Sequence, residues 1–154
     1  MGGVSFADED ILRFDGQNWS LLFDGSDVGL SGTDVVAFTL LNETNLLVAF
    51  SGSVTLNGVS FTPNDIARFN ATSLGATTAG TFSMYFDGSD VGLDASAEKI
   101  DALEILPNGN VLISTTGNSS LPGLAWNDED IIEFIPTTTS GNAQRRWPRR
   151  SIIP

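Results

Sequence analysis

Apolar residues fall along the chain in short clusters, each closed off by Gly, Asn, Asp or Ser. In 19–23, Trp19, Leu21 and Phe23 alternate with Ser20 and Leu22; in 82–86, Phe82, Met84 and Phe86 alternate with Ser83 and Tyr85. A period of two places successive side chains on opposite faces of a strand. Clusters at 35–41 and 45–51, whose counterparts are 100–106 and 110–116, are nearly all apolar, the pattern of strands covered on both faces. A third set, 10–14, 65–69 and 130–134, begins on Asp-Ile and ends on Phe in every copy. Asn-Gly in LPNGN (106–110) and Asp-Gly in FDGQNW (14–19) supply the positive φ that hairpin turns require. The chain is predicted to be all-β.

The clusters also recur in order. VSFADEDILRF (4–14) matches VSFTPNDIARF (59–69) and LAWNDEDIIEF (124–134), and WSLLFDGSDVGL (19–30) matches FSMYFDGSDVGL (82–93). VVAFTLLNETNLLVAFSG (35–52) corresponds to IDALEILPNGNVLISTTG (100–117). The offsets are 59 − 4 = 55 and 124 − 59 = 65, the variation falling in loops. Each full period therefore holds a first strand (35–41, 100–106), a second (45–51, 110–116), a third (10–14, 65–69, 130–134) and a fourth (19–23, 82–86). A four-stranded antiparallel meander repeated at this length is the pattern of a β-propeller blade.

From Val4 to Phe134 the chain resembles the tandem blade-like repeats of large bacterial surface and secreted proteins. The resemblance implies a propeller-like fold and an extracellular or cell-surface setting, with no defined activity attached. It divides a single repeat domain, 4–154, into a half unit (4–30), a full unit (35–93) and a third unit (100–147). In an ungapped alignment Trp147 falls opposite Phe82, but the segment WPRRSIIP that follows carries two prolines and adjacent arginines, which fit a strand poorly. The third unit is accordingly expected to be cut short, with 141–154 an atypical basic tail.

Two blades and a remnant cannot close a ring, which takes typically about four to eight blades. A standard interface of ~1,600 Å² is worth on the order of 40 kcal/mol as an upper bound at ~25 cal/mol/Å², against association costs of ~4 to 15 kcal/mol. Self-assembly is therefore expected. If the N-terminal half unit of one chain completed the C-terminal unit of the next, three subunits would close a six-bladed ring, and dimers or tetramers would also close; the competing reading is a monomeric two-sheet sandwich or a fragment of a longer array.

Composition narrows the chemistry. With 41% hydrophobic residues, ten Phe and three Trp, the chain can fill a core, and with no cysteine and no histidine it lacks thiolate sites, disulfides and the usual imidazole base. All nineteen acids lie at or before Glu133, so residues 1–140 carry 3 − 19 = −16 and the tail +4. Such a body repels phosphate backbones and anionic lipid, so neither nucleic acid nor membrane is an expected partner. No apolar run reaches the ~18 residues of a membrane span, and Met1-Gly2-Gly3 does not open a signal peptide.

In a meander alternate turns share one end of the sheet. That end is expected to collect Asp8, Glu9 and Asp10, then Asn64 and Asp65, then 127–130, together with Asp24, Asp27, Asp87 and Asp90 of the repeated Asp-Gly-Ser-Asp. Phe6, Phe61 and Trp126 stand beside these acids at equivalent positions, Phe61 after an Asn57-Gly58 turn. A ring beside Asp10, Asp65 or Asp130 would suit a carbohydrate, the ring face packing on C–H groups while carboxylates accept hydroxyl protons. Asp24, Asp27, Asp87 and Asp90 offer oxygen ligands for Ca²⁺, without the alternating spacing of an EF-hand loop. The competing reading is that Asp-Gly and Asn-Asp make turns. Carboxylate pairs could hydrolyse glycosides, but equivalent repeated positions suit repeated structure more than one asymmetric active centre. The expected function is a non-catalytic structural or binding module, with lectin-like binding and a glycan-active hydrolase as alternatives. The inserts 70–81 and 135–146 lie at the opposite end as loops or strand extensions.

Overall fold

The computed structural model describes residues 3–137 and 146–153. In chain order the strands are β1 (Ile11–Phe14), β2 (Trp19–Phe23), β3 (Val35–Asn42), β4 (Asn45–Phe50), β5 (Val54–Leu56), β6 (Val59–Phe61) and β7 (Ile66–Ser73). Then follow β8 (Ala79–Phe86), β9 (Ile100–Ile105), β10 (Val111–Thr115), β11 (Ser119–Leu121), β12 (Leu124–Trp126), β13 (Ile131–Thr137) and β14 (Arg146–Ile153). Among the described residues only short 3-10 turns interrupt them, and the fold is all-β. Two antiparallel sheets carry the order β3, β4, β7, β8 and β9, β10, β13, β14; β1 with β2, β5 with β6, and β11 with β12 form hairpins. Among the described residues these sheets do not close into a ring, and no helix is long and apolar enough to cross a membrane.

The repeat is visible in the pairing register. Ile11 opposes Phe23, Leu12 opposes Leu21, Arg13 opposes Ser20 and Phe14 opposes Trp19. At the equivalent places Ile66 opposes Phe86, Ala67 opposes Met84, Arg68 opposes Ser83 and Phe69 opposes Phe82. Each ladder shifts register after its first pair, at Ile11/Leu12 and at Ile66/Ala67. A bulge conserved between two copies is a built feature of the unit, since it sets which face each later side chain takes.

Three layers stack in chain order: the β1–β2 hairpin, the central sheet and the C-terminal sheet. Between hairpin and central sheet lies a core of Ile11, Phe23, Leu46, Val48, Phe50, Phe69 and Phe82 among others. Between the two sheets a second core gathers Leu47, Ala49, Ile66, Phe86, Leu103, Val111, Ile132 and Phe134. Strand β4 feeds both, its even-numbered residues one core and its odd-numbered residues the other, and from Leu46 to Phe50 it is buried throughout. The contact between layers repeats as well. Phe23 meets Phe69 edge-on at 5.2 Å, and Phe86, at the place of Phe23, meets Phe134, at the place of Phe69, at 5.1 Å.

Four expectations need correction. The third unit has its fourth strand: β14 pairs with β13, so the edge left open for half-unit exchange between chains is already occupied. Pairing joins Ile135 to Arg149 and Thr137 to Arg146, so Pro136 and Pro148 both sit where the register shifts, a place that tolerates proline. The register puts Arg150, not Trp147, across from Phe134 as Phe82 lies across from Phe69. Strand β3 is not covered on both faces, because Val36, Phe38 and Leu40 stand exposed. Finally, each full unit carries an extra hairpin between its second and third strands, β5–β6 turning at Asn57-Gly58 and β11–β12 at Pro122-Gly123. Asn57 and Gly58 both have positive φ, 50° and 79°, as a two-residue hairpin turn requires. The insert 70–81 is mostly strand, β7 and β8 reaching beyond their core-facing parts, while 138–145 lie outside the described residues.

Candidate functional site

The repeated Phe-Asp-Gly-Ser-Asp folds into the same 3-10 turn twice, at Ser26–Val28 and Gly88–Val91, each ended by a left-handed glycine, Gly29 or Gly92. The backbone N–H of Leu30 donates to the Gly25 carbonyl at 3.0 Å, and that of Leu93 to the Gly88 carbonyl at 2.8 Å. What holds each turn is an aspartate from the neighbouring loop. The Gly25 N–H donates to Asp10 Oδ1 at 2.9 Å, and the Gly88 N–H to Asp65 Oδ1 at the same distance.

The second oxygen of each aspartate closes its own loop. The Ala7 N–H donates to Asp10 Oδ2 at 2.8 Å, Thr62 N–H to Asp65 Oδ2 at 2.7 Å, and Asn127 N–H to Asp130 Oδ2 at 2.8 Å. Asp65 also accepts from the Thr62 hydroxyl at 2.9 Å. Carboxylates accepting backbone N–H groups make strong, charge-assisted hydrogen bonds. The glycine of each turn is fixed by space: a Cβ on Gly25 would lie 2.5 Å from the Glu9 carbonyl oxygen, and one on Gly88 2.3 Å from that of Asn64. The acidic end thus joins the two sets of loops that the meander predicts. Asp10 and Asp65 serve there as backbone clips, and Asp130 closes the third loop in the same way.

The aromatic positions divide. Phe6 is exposed, but Phe61 and Trp126 are buried, so the expected ring platform is not presented at those two places. Phe61 packs against Phe50 at 5.8 Å. Trp126 donates its indole N–H to the Thr115 hydroxyl at 2.9 Å, with Thr115 standing where Phe50 stands in the preceding unit. The hairpins β5–β6 and β11–β12 fold these rings inward, a consequence of strands that the cluster pattern did not reveal.

Asp24, Asp27, Asp87 and Asp90 do not converge. Asp27 Oδ2 accepts the Thr78 N–H at 2.8 Å, Asp24 Oδ1 accepts the Ser26 hydroxyl at 2.7 Å, and Asp87 Oδ1 accepts the Ser89 N–H at 3.0 Å and its hydroxyl at 2.6 Å. Among the described residues no group of three or more His, Cys, Asp or Glu could hold a metal ion. Thr78 is a residue that pattern reading missed. Placed at the opposite end by the meander, the β7–β8 loop instead folds back to the preceding layer, where the buried Thr78 hydroxyl accepts the Asp24 N–H at 2.9 Å and donates to the Gly75 carbonyl. Glu98 was missed too: buried in the linker before β9, it accepts from Asp94 N–H, Ala95 N–H and the Ser119 hydroxyl. Nothing in the linker's composition marks it.

A different kind of feature lies at the two ends of the stack. Phe69 and Phe134 are fully buried, but Phe14 at the same position in the hairpin is 51% exposed. Phe82 is 4% exposed and its counterpart Trp19 58%. On the other side, Ile11 and Ile66 are 3% and 0% exposed, whereas Ile131 is 43%. Positions that are core inside the stack are bare where the stack stops. Comparison with protein-family models, with curated proteins and with solved structures finds no match for the chain.

Proposed function

We propose that the chain is a non-catalytic structural repeat module, built of propeller-like blades and made to associate with copies of itself in an extracellular bacterial setting. The observation that carries the reading is the clip. At Asp10 and Asp65 the carboxylate that would serve a ligand is engaged by backbone N–H groups from two loops, its two oxygens holding the unit together, and Asp130 closes its own loop. The rings that would flank a sugar at Phe61 and Trp126 lie in the cores, which removes two of the three platforms a lectin-like reading needs. Sheets stacked through apolar faces, with the outermost faces bare, supply the motive for association.

Light scattering on the full chain over a wide concentration range tests association, and masses at whole multiples of the 16.3 kDa chain are expected. Calorimetric titration with Ca²⁺ and a glycan array test the binding alternatives. Saturable heat from the ion, or a sugar bound by the wild type and lost on replacing Phe6, would replace the structural reading with a binding one.

A further inference from the structure

We propose that the N-terminal half unit takes up a two-stranded antiparallel segment from a partner polypeptide, a pair of the repeat's own first-and-second-strand kind, which adds to the edge of β1 and covers Phe38 and Leu40 of β3. This contact is separate from association through the end faces of the stack.

The cover of the central sheet stops one strand short. On its hairpin side Leu46 and Val48 of β4 are fully buried, in the core they share with Ile11 and Phe23. Leu40 and Phe38 stand directly opposite them on β3, hence on the same face, yet are 51% and 43% exposed. The bare stripe therefore continues an interface that the chain already makes. The next interface shows the covered version of it. The offset of 65 between the units carries Phe38 to Leu103, which is 8% exposed and shares its core with Ala37, Leu47 and Ala49 from the first and second strands of the preceding layer. Strand β9 packs along β3 and β4 at that place. Among the described residues the hairpin layer consists of third and fourth strands alone, β1 and β2, so the strands that cover Leu103 have no counterpart over Phe38.

The edge of β1 points the same way. In the full units the second strand holds the third, β4 pairing with β7 and β10 with β13, whereas among the described residues β1 pairs with β2 alone. Each full unit also ties a third-strand side chain to the Asn at the start of the second strand. Arg68 donates to Asn45 Oδ1 at 3.3 Å, and Glu133 accepts from Asn110 Nδ2 at 2.6 Å. Arg13 holds their place in the half unit, and its exposed guanidinium bonds to none of the described residues. A strand edge beside an apolar face is what strand addition uses, main-chain bonds giving affinity and alternate side chains specificity. The covered interface gives the chemistry of the occupant: small or apolar residues at the places of Ala37, Leu47 and Ala49, and an amide or carboxylate oxygen at the place of Asn45 to meet Arg13. Both pairs of this kind in the chain are already engaged, β4 with β7 and β10 with β13, so an intact second copy has none to lend.

A synthetic peptide of residues 100–117, IDALEILPNGNVLISTTG, carries that pattern in Ala102, Asn110, Leu112 and Ser114 and serves as the probe. Added to the full chain, it should bind saturably, slow hydrogen exchange of the β1 backbone amides, and bind at least about tenfold more weakly to Phe38→Asp. Phe38 is at the surface, so Phe38→Asp is expected to keep the circular dichroism of wild type. Ile131→Asp, on the far face of the C-terminal sheet, should bind the peptide as wild type does. Asn110→Asp in the peptide should tighten binding to wild type and weaken binding to Arg13→Glu. An isolated two-stranded hairpin is only marginally stable in water, so the pair is also supplied within the chain, by joining a copy of residues 35–58 ahead of Val4 in place of 1–3. This extension should raise the melting temperature by at least about 2 °C, and Phe38→Asp in the original β3 should erase the rise. The extension decides the matter if the free peptide does not bind. An unchanged melting temperature, or a rise indifferent to Phe38→Asp, overturns the proposal, whatever light scattering shows of self-association.

Discussion

The central sheet and the N-terminal hairpin share a pairing register, a bulge and an aspartate clip, but only the sheet has a layer on each side. Phe69 and Phe14 occupy one position in that shared plan, and one is sealed between layers while the other faces solvent. Burial in a stacked repeat is thus decided by what lies on the neighbouring layer, not by the local sequence, as nearest-neighbour energetics of repeat proteins require. Stability should be distributed the same way.

The strongest test is therefore to truncate both residues. Phe69→Ala removes a ring that contacts Phe23 at 5.2 Å and Phe82 at 4.8 Å, and a cost of about 3 to 5 kcal/mol is expected from lost transfer energy and the cavity left behind. Phe14→Ala should cost well under half of that in denaturant unfolding of dilute protein. Equal losses would mean that the hairpin face is covered in solution even at low concentration.

The clips give the next contrast. Asp65 is buried and accepts from Gly88, Thr62 N–H and the Thr62 hydroxyl, whereas Asp10 is half-buried and accepts from Gly25 and Ala7. Asp65→Ala leaves the buried Gly88 N–H without its partner and opens the Thr62 loop, and is expected to cost about 1.5 to 3 kcal/mol, with Asp10→Ala costing less. Thermal unfolding of the two variants side by side checks the order, and a larger loss at Asp10 would place the stability of the module in its N-terminal layer.

The repeat, the strand clusters and the all-β class were legible because they rest on period-two alternation and turn residues, both local signals. That the loops of Asp10 and Asp65 share one end with the repeated Asp-Gly-Ser-Asp followed from meander topology, but their bonds to Gly25 and Gly88 have no signature in the sequence. What could not be read is anything set by a neighbouring layer. Phe61 and Trp126 carry the same residue character whether they point outward or into a core, and the two short hairpins that turn them inward contribute only three residues per strand. The strand at Arg146–Ile153 was hidden by Pro148, which stands where the register shifts. Thr78 reaches Asp27 across fifty-one positions, a contact with no local signature.

The two full units differ at one core site in a way that sharpens the comparison. Where the central unit pairs Phe50 with Phe61, the C-terminal unit pairs Thr115 with Trp126 through a buried hydrogen bond. Trp126→Phe deletes that bond, although the Thr115 hydroxyl keeps its bond to the Gly117 carbonyl at 3.0 Å, so a loss of about 1 kcal/mol is expected. The double change Thr115→Phe with Trp126→Phe rebuilds the central unit's pair, and recovery of stability in a double-mutant cycle would show that the two units are interchangeable there.

The smallest effect separates the two hairpin ends. In the hairpin β1–β2 the Asp15 carboxylate accepts the Asn18 N–H at 2.7 Å and the Gln17 N–H at 2.8 Å, and these bonds hold its pKa below the usual aspartate value. The equivalent residue of the central unit is Asn70, which has no charge and sits within a longer ladder opposite Thr81. A carboxylate with a lowered folded-state pKa contributes stability that is present above its unfolded pKa and is lost as pH falls through the folded value. Asp15→Asn should therefore lower stability slightly at neutral pH, and the variant and wild type should converge in acid once the wild-type carboxyl is protonated. NMR titration of the Asp15 carboxyl carbon should give a midpoint below that of an unstructured aspartate; a midpoint at or above it would show that the turn does not select the charged form.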